Sequence, residues 1–110
     1  MKVYKVVHKS RKDGKLESAV AVIPLAYAMR RRTTPAPECG PLCAFDSLAE
    51  AKRFFRSYGD EIWECLAAKS KLVYVWRPGR LTFCNVLPSG TILCDAITLT
   101  KKVWPPEEKG

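Results

Sequence analysis

Only one stretch of this 110-residue chain carries a helical period. In SLAEAKRFFRSYG, residues 47–59, the apolar Leu48, Ala51, Phe54 or Phe55, and Tyr58 recur at the spacing that gathers them on one helix face. Ser47 followed by Glu50 forms a capping box: the hydroxyl accepts from the N3 amide and the carboxylate returns to the Ser47 amide. Gly59 supplies the stop. A helix is therefore predicted at about 47–58. The other apolar residues come mainly in short runs cut by prolines and glycines. One helix covers only part of a sheet, so such a chain must bury the remainder by folding the sheet on itself. The sequence predicts an α+β fold: a curved, mostly antiparallel sheet of six to eight short strands with a single amphipathic helix. It forms one domain over residues 1–104, followed by a polar C-terminal tail at 105–110.

The strand-like runs can be placed. KVYKVVH alternates lysine with β-branched and aromatic residues, and Asp13-Gly14 is a hairpin signal before the return run KLESAVAVI. LAYAMRRRTT fits a short helix or a strand. The strand is preferred because its apolar stripe is narrow for a helix, and it would send Arg30, Arg31 and Arg32 to alternate faces. TPAPECGP is a loop, and LCAF is a short strand. DEIWECLAAK and KLVYVWR are the next strands. RLTFCNVL lies between turns at Pro78-Gly79 and Pro88-Ser89-Gly90, and TILCDAITLTKKV closes the fold as one or two strands.

The net charge of +8 is concentrated at the N-terminus: residues 1–33 hold nine Lys/Arg against two acids, a net of +7. Lys9, Arg11, Lys12 and Lys15 surround the expected hairpin tip, and Arg30, Arg31 and Arg32 follow. These seven are the candidate contacts for a polyanion or an acidic partner. Tyr4, Tyr27, Tyr74, Trp63 and Trp76 would serve as stacking surfaces if a sheet presented them. No run is long and apolar enough for a membrane span or a secretory leader, so no membrane association and a cytoplasmic location are expected.

Five cysteines make an odd set, and three sit in apolar runs, which suits reduced structural thiols. Cys39 and Cys43 flank a Gly-Pro, but their spacing is C-x-x-x-C, and Leu42 to Phe45 separate them from the helix start that lowers a redox thiol's pKa. No second pair completes a zinc set. His8, the only histidine, has no base-and-nucleophile neighbour in sequence, and Asp95 in LCDAI is either buried or a turn cap. No catalytic residue, cofactor site or metal site is assigned.

The runs VYKVV, ESAVAV, GPLCAFDSLAEAKRFF, EIWEC and PSGTILCDAITLTKKV resemble small uncharacterised proteins of bacteriophage and other prokaryotic genomes. That resemblance implies an accessory protein of a mobile element and carries no activity. The block FDSLAEAKRFFRSYGDEIWECLA is similar to a segment of mono-ADP-ribosyltransferase-like domains. It implies a degenerate relative of that fold, since no glutamate stands late enough in a strand to be the catalytic one. The expected function is a non-enzymatic protein-interaction module. The alternative is a nucleic-acid binder using the basic N-terminal hairpin and Arg30 to Arg32. A protein partner ranks ahead of nucleic acid, and a homo-oligomer is compatible with the pattern.

Overall fold

The computed structural model describes residues 1–9, 15–18, 26–54 and 60–106. Its strands are β1 (Lys2–Lys9), β2 (Leu16–Ser18), β3 (Ala26–Tyr27), β4 (Arg32–Thr33), β5 (Leu42–Phe45), β6 (Asp60–Lys69), β7 (Tyr74–Arg77), β8 (Arg80–Phe83) and β9 (Thr91–Trp104). Helix α1 (Leu48–Phe54) lies between β5 and β6, and a 3-10 turn, Cys84–Val86, follows β8. Every strand pairing is antiparallel. Among the described residues the nine strands exceed the six to eight expected because two of them, β3 and β4, are two-residue pieces of a run read as one strand.

Seven strands form a wall that closes. β6 joins β1 from Lys2↔Leu66 to His8↔Asp60, and joins β9 from Ile62↔Trp104 to Lys69↔Cys94. The far edge of β1 is shared between β5, at Tyr4↔Phe45, and β2. The far edge of β9 is likewise shared, between β5 at Leu42↔Cys94 and β4 at Arg32↔Thr98. Following β1–β6–β9–β5 therefore leads back to β1. Three register shifts between β6 and β9 add the local bending and twist that closure needs.

A period of two sorts side chains to the two faces of this wall. Val3 and Val7 of β1, Trp63 and Cys65 of β6, and Ile97 and Leu99 of β9 pack inside it with Tyr27, Leu42, Ala44 and Cys94. Val3, Val7, Ile97 and Leu99 are essentially fully buried, each burial contributing about 1.5–3 kcal/mol. On the outer face Val6, Phe45 and Ile62 meet Ala51 of α1, with Tyr4, Leu48, Phe54 and Trp104 at the margin. The ring centroids of Phe45 and Phe54 are 5.3 Å apart. The expected helix face is thus correct at Leu48, Ala51 and Phe54; Phe55 and Tyr58 lie outside the described residues.

The hydroxyl half of the expected capping box is present. The Glu50 amide donates to Oγ of Ser47 at 3.2 Å, and the Ala51 amide to the Ser47 carbonyl at 3.1 Å. Gly90 packs against this turn, and its carbonyl accepts from the Asp46 amide at 2.9 Å. It adopts φ +80°, and a Cβ there would come within 2.6 Å of Glu50 Cγ.

Several sequence expectations are corrected. Residues 26–33 are neither a helix nor one strand. β3 pairs with β2, a turn follows in which the Arg31 amide donates to the Ala28 carbonyl, and β4 pairs with β9. The chain must cross from one neighbour to the other, and Arg30 makes the corner at φ +61°. That tertiary demand overrides the local alternation. Residues 74–83 leave the main sheet as a separate two-stranded hairpin, β7–β8, and RLTFCNVL ends as a strand at Phe83. TILCDAITLTKKV is a single strand, β9, and Asp95 on it is exposed. The Asp13-Gly14 hairpin tip, most of the return run after it and the end of the polar tail lie outside the described residues.

Candidate interaction surface

The β7–β8 hairpin presents an exposed apolar face. Pairings Tyr74↔Phe83 and Trp76↔Leu81 place these four side chains on one face, while Val75, Arg77, Arg80 and Thr82 take the other. Tyr74 stands at the centre of the apolar face, its ring centroid 5.8 Å from that of Trp76 and 6.0 Å from that of Phe83. Trp76 is 39% exposed, Leu81 53% and Phe83 55%, and Leu72, Val73 and Val86 at the hairpin's base are also exposed. An isolated hairpin of this length is marginal in water. Here β7 is tied to the body by a two-way backbone bridge between Trp76 and Gly40, and the Cys84 amide donates to the Val73 carbonyl at 2.7 Å. A Cβ on Gly40 would lie 3.0 Å from the Trp76 ring, so glycine allows the indole to lie flush on the loop.

The charge in the segment that carries the hairpin has one sign. Residues 66–94 contain Lys69, Lys71, Arg77 and Arg80 and no Asp or Glu. Lys69, Lys71 and Arg80 are exposed, Arg77 is half-buried, and none of the four forms an ion pair among the described residues. The hairpin thus carries an aromatic and aliphatic face, with Arg77 and Arg80 on the face opposite.

The basic residues expected from the sequence sit elsewhere. Lys9 ends β1 opposite Leu16, and Lys15 directly precedes Leu16, so both stand at the end of the wall where His8 meets Asp60. Arg11 and Lys12 lie outside the described residues. Arg30 and Arg31 occupy the turn whose Arg30 amide donates to the Leu99 carbonyl at 2.9 Å, and Arg32 opposes Thr98. The hairpin instead follows Lys69, at the opposite end of β6 from Asp60. Of the aromatics expected as stacking surfaces, Tyr27 and Trp63 are buried inside the wall, and Tyr74 and Trp76 belong to the hairpin. Lys9 and Lys15 therefore stand at the opposite end of β6 from the exposed aromatics.

The remaining candidates resolve into structural roles. Nδ1 of His8 donates to Oδ1 of Asp60 at 2.9 Å, supplying the donor that this buried carboxylate needs. Asp95 lies near the other end of β6, beside Cys94, which opposes Lys69. Histidine and aspartate are thus held apart. Cys39 closes a turn, its amide donating to the Ala36 carbonyl at 2.8 Å, while Cys43 stands on β5. All five cysteines are free thiols. Burial pushes the Cys65 thiol up to about 12 and the Cys94 thiol up to about 11, so both are neutral across the physiological range. Among the described residues no three His, Cys, Asp or Glu side chains gather as a metal site. No helix in the described residues is long and apolar enough to cross a membrane.

One charged residue escaped sequence reasoning. Lys5 alternates with Val3 and Val7 and shares their inward face, where it is only 8% exposed. Its Nζ donates to the Cys43 carbonyl at 2.6 Å and stands 5.6 Å from the centroid of the Tyr27 ring. A period of two puts Lys2 and Lys5 on opposite faces, and the pairing of β1 with β6 and β5 decides that Lys5 is the inward one.

Comparison with protein-family models, with curated proteins and with solved structures finds no match to this chain.

Proposed function

We propose that the protein is a non-catalytic interaction module that docks through its β7–β8 hairpin onto another protein whose apolar contact surface is rimmed by acidic side chains. The observation that carries this reading is the exposed Trp76–Leu81–Phe83 face within a segment that has four cations and no acid. Trp, Tyr and Arg are the residues that dominate binding energy at protein interfaces, and apolar centres with charged rims are their usual setting. The complementary charges would raise the association rate and exclude basic surfaces. The same like charge on every copy opposes pairing of two hairpins. The resemblance to small proteins of mobile elements supports an accessory role of this kind.

A protein partner is favoured over nucleic acid because the aromatic face continues into the aliphatic Leu72, Val73, Leu81 and Val86, which offer no stacking platform for bases. The test is capture from nuclease-treated extract of the source cell or its host. Wild type is compared with a Trp76→Ser/Leu81→Ser/Phe83→Ser variant and an Arg77→Glu/Arg80→Glu variant. The captured protein is then purified and titrated while tryptophan emission is followed. The reading requires saturable binding that falls at least about 30-fold in the apolar variant. It also requires an association rate that falls with salt and in the charge-reversed variant. Binding that is equal in all three proteins, or that appears only with single-stranded DNA or RNA in an anisotropy titration, would overturn it.

A further inference from the structure

A second feature, distinct from the hairpin, lies at the seam between β1 and β5. The two strands touch at the single pair Tyr4↔Phe45, and beyond it β1 turns to β2 for its partner. The gap opens onto a cavity of about 180 Å³, partly open to solvent. That is somewhat more than the ~150 Å³ that accepts a benzene ring in an apolar protein core. Its walls are apolar, from Val6, Phe45, Phe54, Leu87 and Pro88.

Lys5 also lines this cavity. Its ammonium group has three donors, and the structure gives it one hydrogen bond, to the Cys43 carbonyl. No carboxylate lies within ion-pair distance of it among the described residues. A buried cation without a counter-ion carries a desolvation penalty that an anionic acceptor relieves. Cys43, the other titratable residue on the cavity wall, has its thiol pushed up by burial, so it stays neutral and does not repel an anion.

We infer that this cavity binds a small monocarboxylate with an apolar body, its carboxylate paired to Lys5 Nζ and its body against Phe45, Phe54 and Leu87. Charge alone does not satisfy the walls, and an apolar molecule alone does not satisfy the ammonium group. The ligand class follows from needing both.

Three probes separate these requirements: benzoate carries charge and ring, benzyl alcohol the ring alone, and inorganic phosphate the charge alone. Binding to the full chain is followed by amide chemical shifts and by the rise in Tm with ligand concentration. Benzoate is expected to saturate with a Kd on the order of 1 mM, a value open to a ligand of about nine heavy atoms. It should bind at least about tenfold more tightly than either other probe, the usual effect of a charge-assisted hydrogen bond. Lys5→Met, which keeps the length of the side chain inside an apolar wall, should remove that advantage and leave benzyl alcohol unchanged. Leu87→Trp, which fills the cavity from the half-buried turn after β8, should abolish benzoate binding. The inference is overturned if benzoate binds no better than benzyl alcohol or phosphate, or if Leu87→Trp or a folded Lys5→Met binds it as wild type does. If Lys5→Met does not fold, the probe comparison in wild type and the Leu87→Trp result decide the matter. None of these outcomes depends on the hairpin.

Discussion

The closed wall and the β7–β8 hairpin are made from similar residues put to opposite use. In the wall, Val, Ile, Leu, Trp and Cys face inward, and Ile62, Ile97 and Leu99 are fully buried. In the hairpin, Trp, Leu, Phe and Tyr pair across two strands, yet Trp76, Leu81 and Phe83 remain well exposed. Burial in the wall stabilises the fold. Exposed side chains on the hairpin contribute less to it. The buried and the exposed apolar side chains thus fall in different segments.

Substitution of equal severity in the two regions gives the largest expected contrast. Ile97→Ala should destabilise the protein by about 3 kcal/mol, the usual loss for truncating a buried branched side chain. Phe83→Ser should change stability by under about 0.5 kcal/mol. Urea denaturation of the two variants checks this, and equal losses would mean that the hairpin belongs to the cooperative core.

Alkaline pH probes the buried thiols. Because the folded Cys65 thiol is pushed up to about 12, folding favours its neutral form. The sign follows. This contribution is fully present below the unfolded thiol's value near 9 and is lost as pH rises toward 12. The slope is about 1.4 kcal/mol per unit in that window. Under reducing conditions, Cys65→Ala should flatten the pH dependence of stability between about pH 9 and 11, whatever its effect at neutral pH. An unchanged slope would place the alkaline loss on other groups.

The smallest contrast concerns two glycines with the same backbone angle. Gly79 at the hairpin tip and Gly90 beside the helix start both have φ +80°. A Cβ on Gly79 meets nothing within 4 Å, whereas one on Gly90 meets Glu50 and Asp46. Gly79→Ala should therefore cost about 1 kcal/mol from backbone conformation alone, and Gly90→Ala about 2 kcal/mol or more. Thermal unfolding of the pair separates crowding from conformation, and identical losses would show that crowding at Gly90 is relieved by movement of Glu50.

What the sequence made legible was local. The Ser47–Glu50 start, the turns at Pro78-Gly79 and Pro88-Ser89-Gly90, and the bounds of β6 all depend on residues close in the chain. The closure was inferable only in outline, because a single helix demands a rolled sheet but does not say which strands meet. The corner at Arg30 was illegible because nothing local asks an arginine to adopt a positive φ; the demand comes from β9, far along the chain. Lys5 misled for a related reason. Its alternation is real, but which face becomes the interior is decided by β6 and β9. The interaction surface was half visible: Trp76 and Tyr74 were noted, while the cations were sought at the N-terminus rather than in the acid-free segment around them.

β9 has a consequence for how this chain can change length. Its fourteen residues run against β6 on one edge and against β5 and β4 on the other. Inserting or deleting one residue within Ile92 to Leu99 would shift the alternation toward several neighbours together, turning inward residues outward on both sides of the seam. The tip at Pro78-Gly79 carries no such obligation, since only β7 and β8 meet there. Variation in length among descendants of this sequence should collect at the hairpin tip, so that the part which reaches outward is also the part free to be recut.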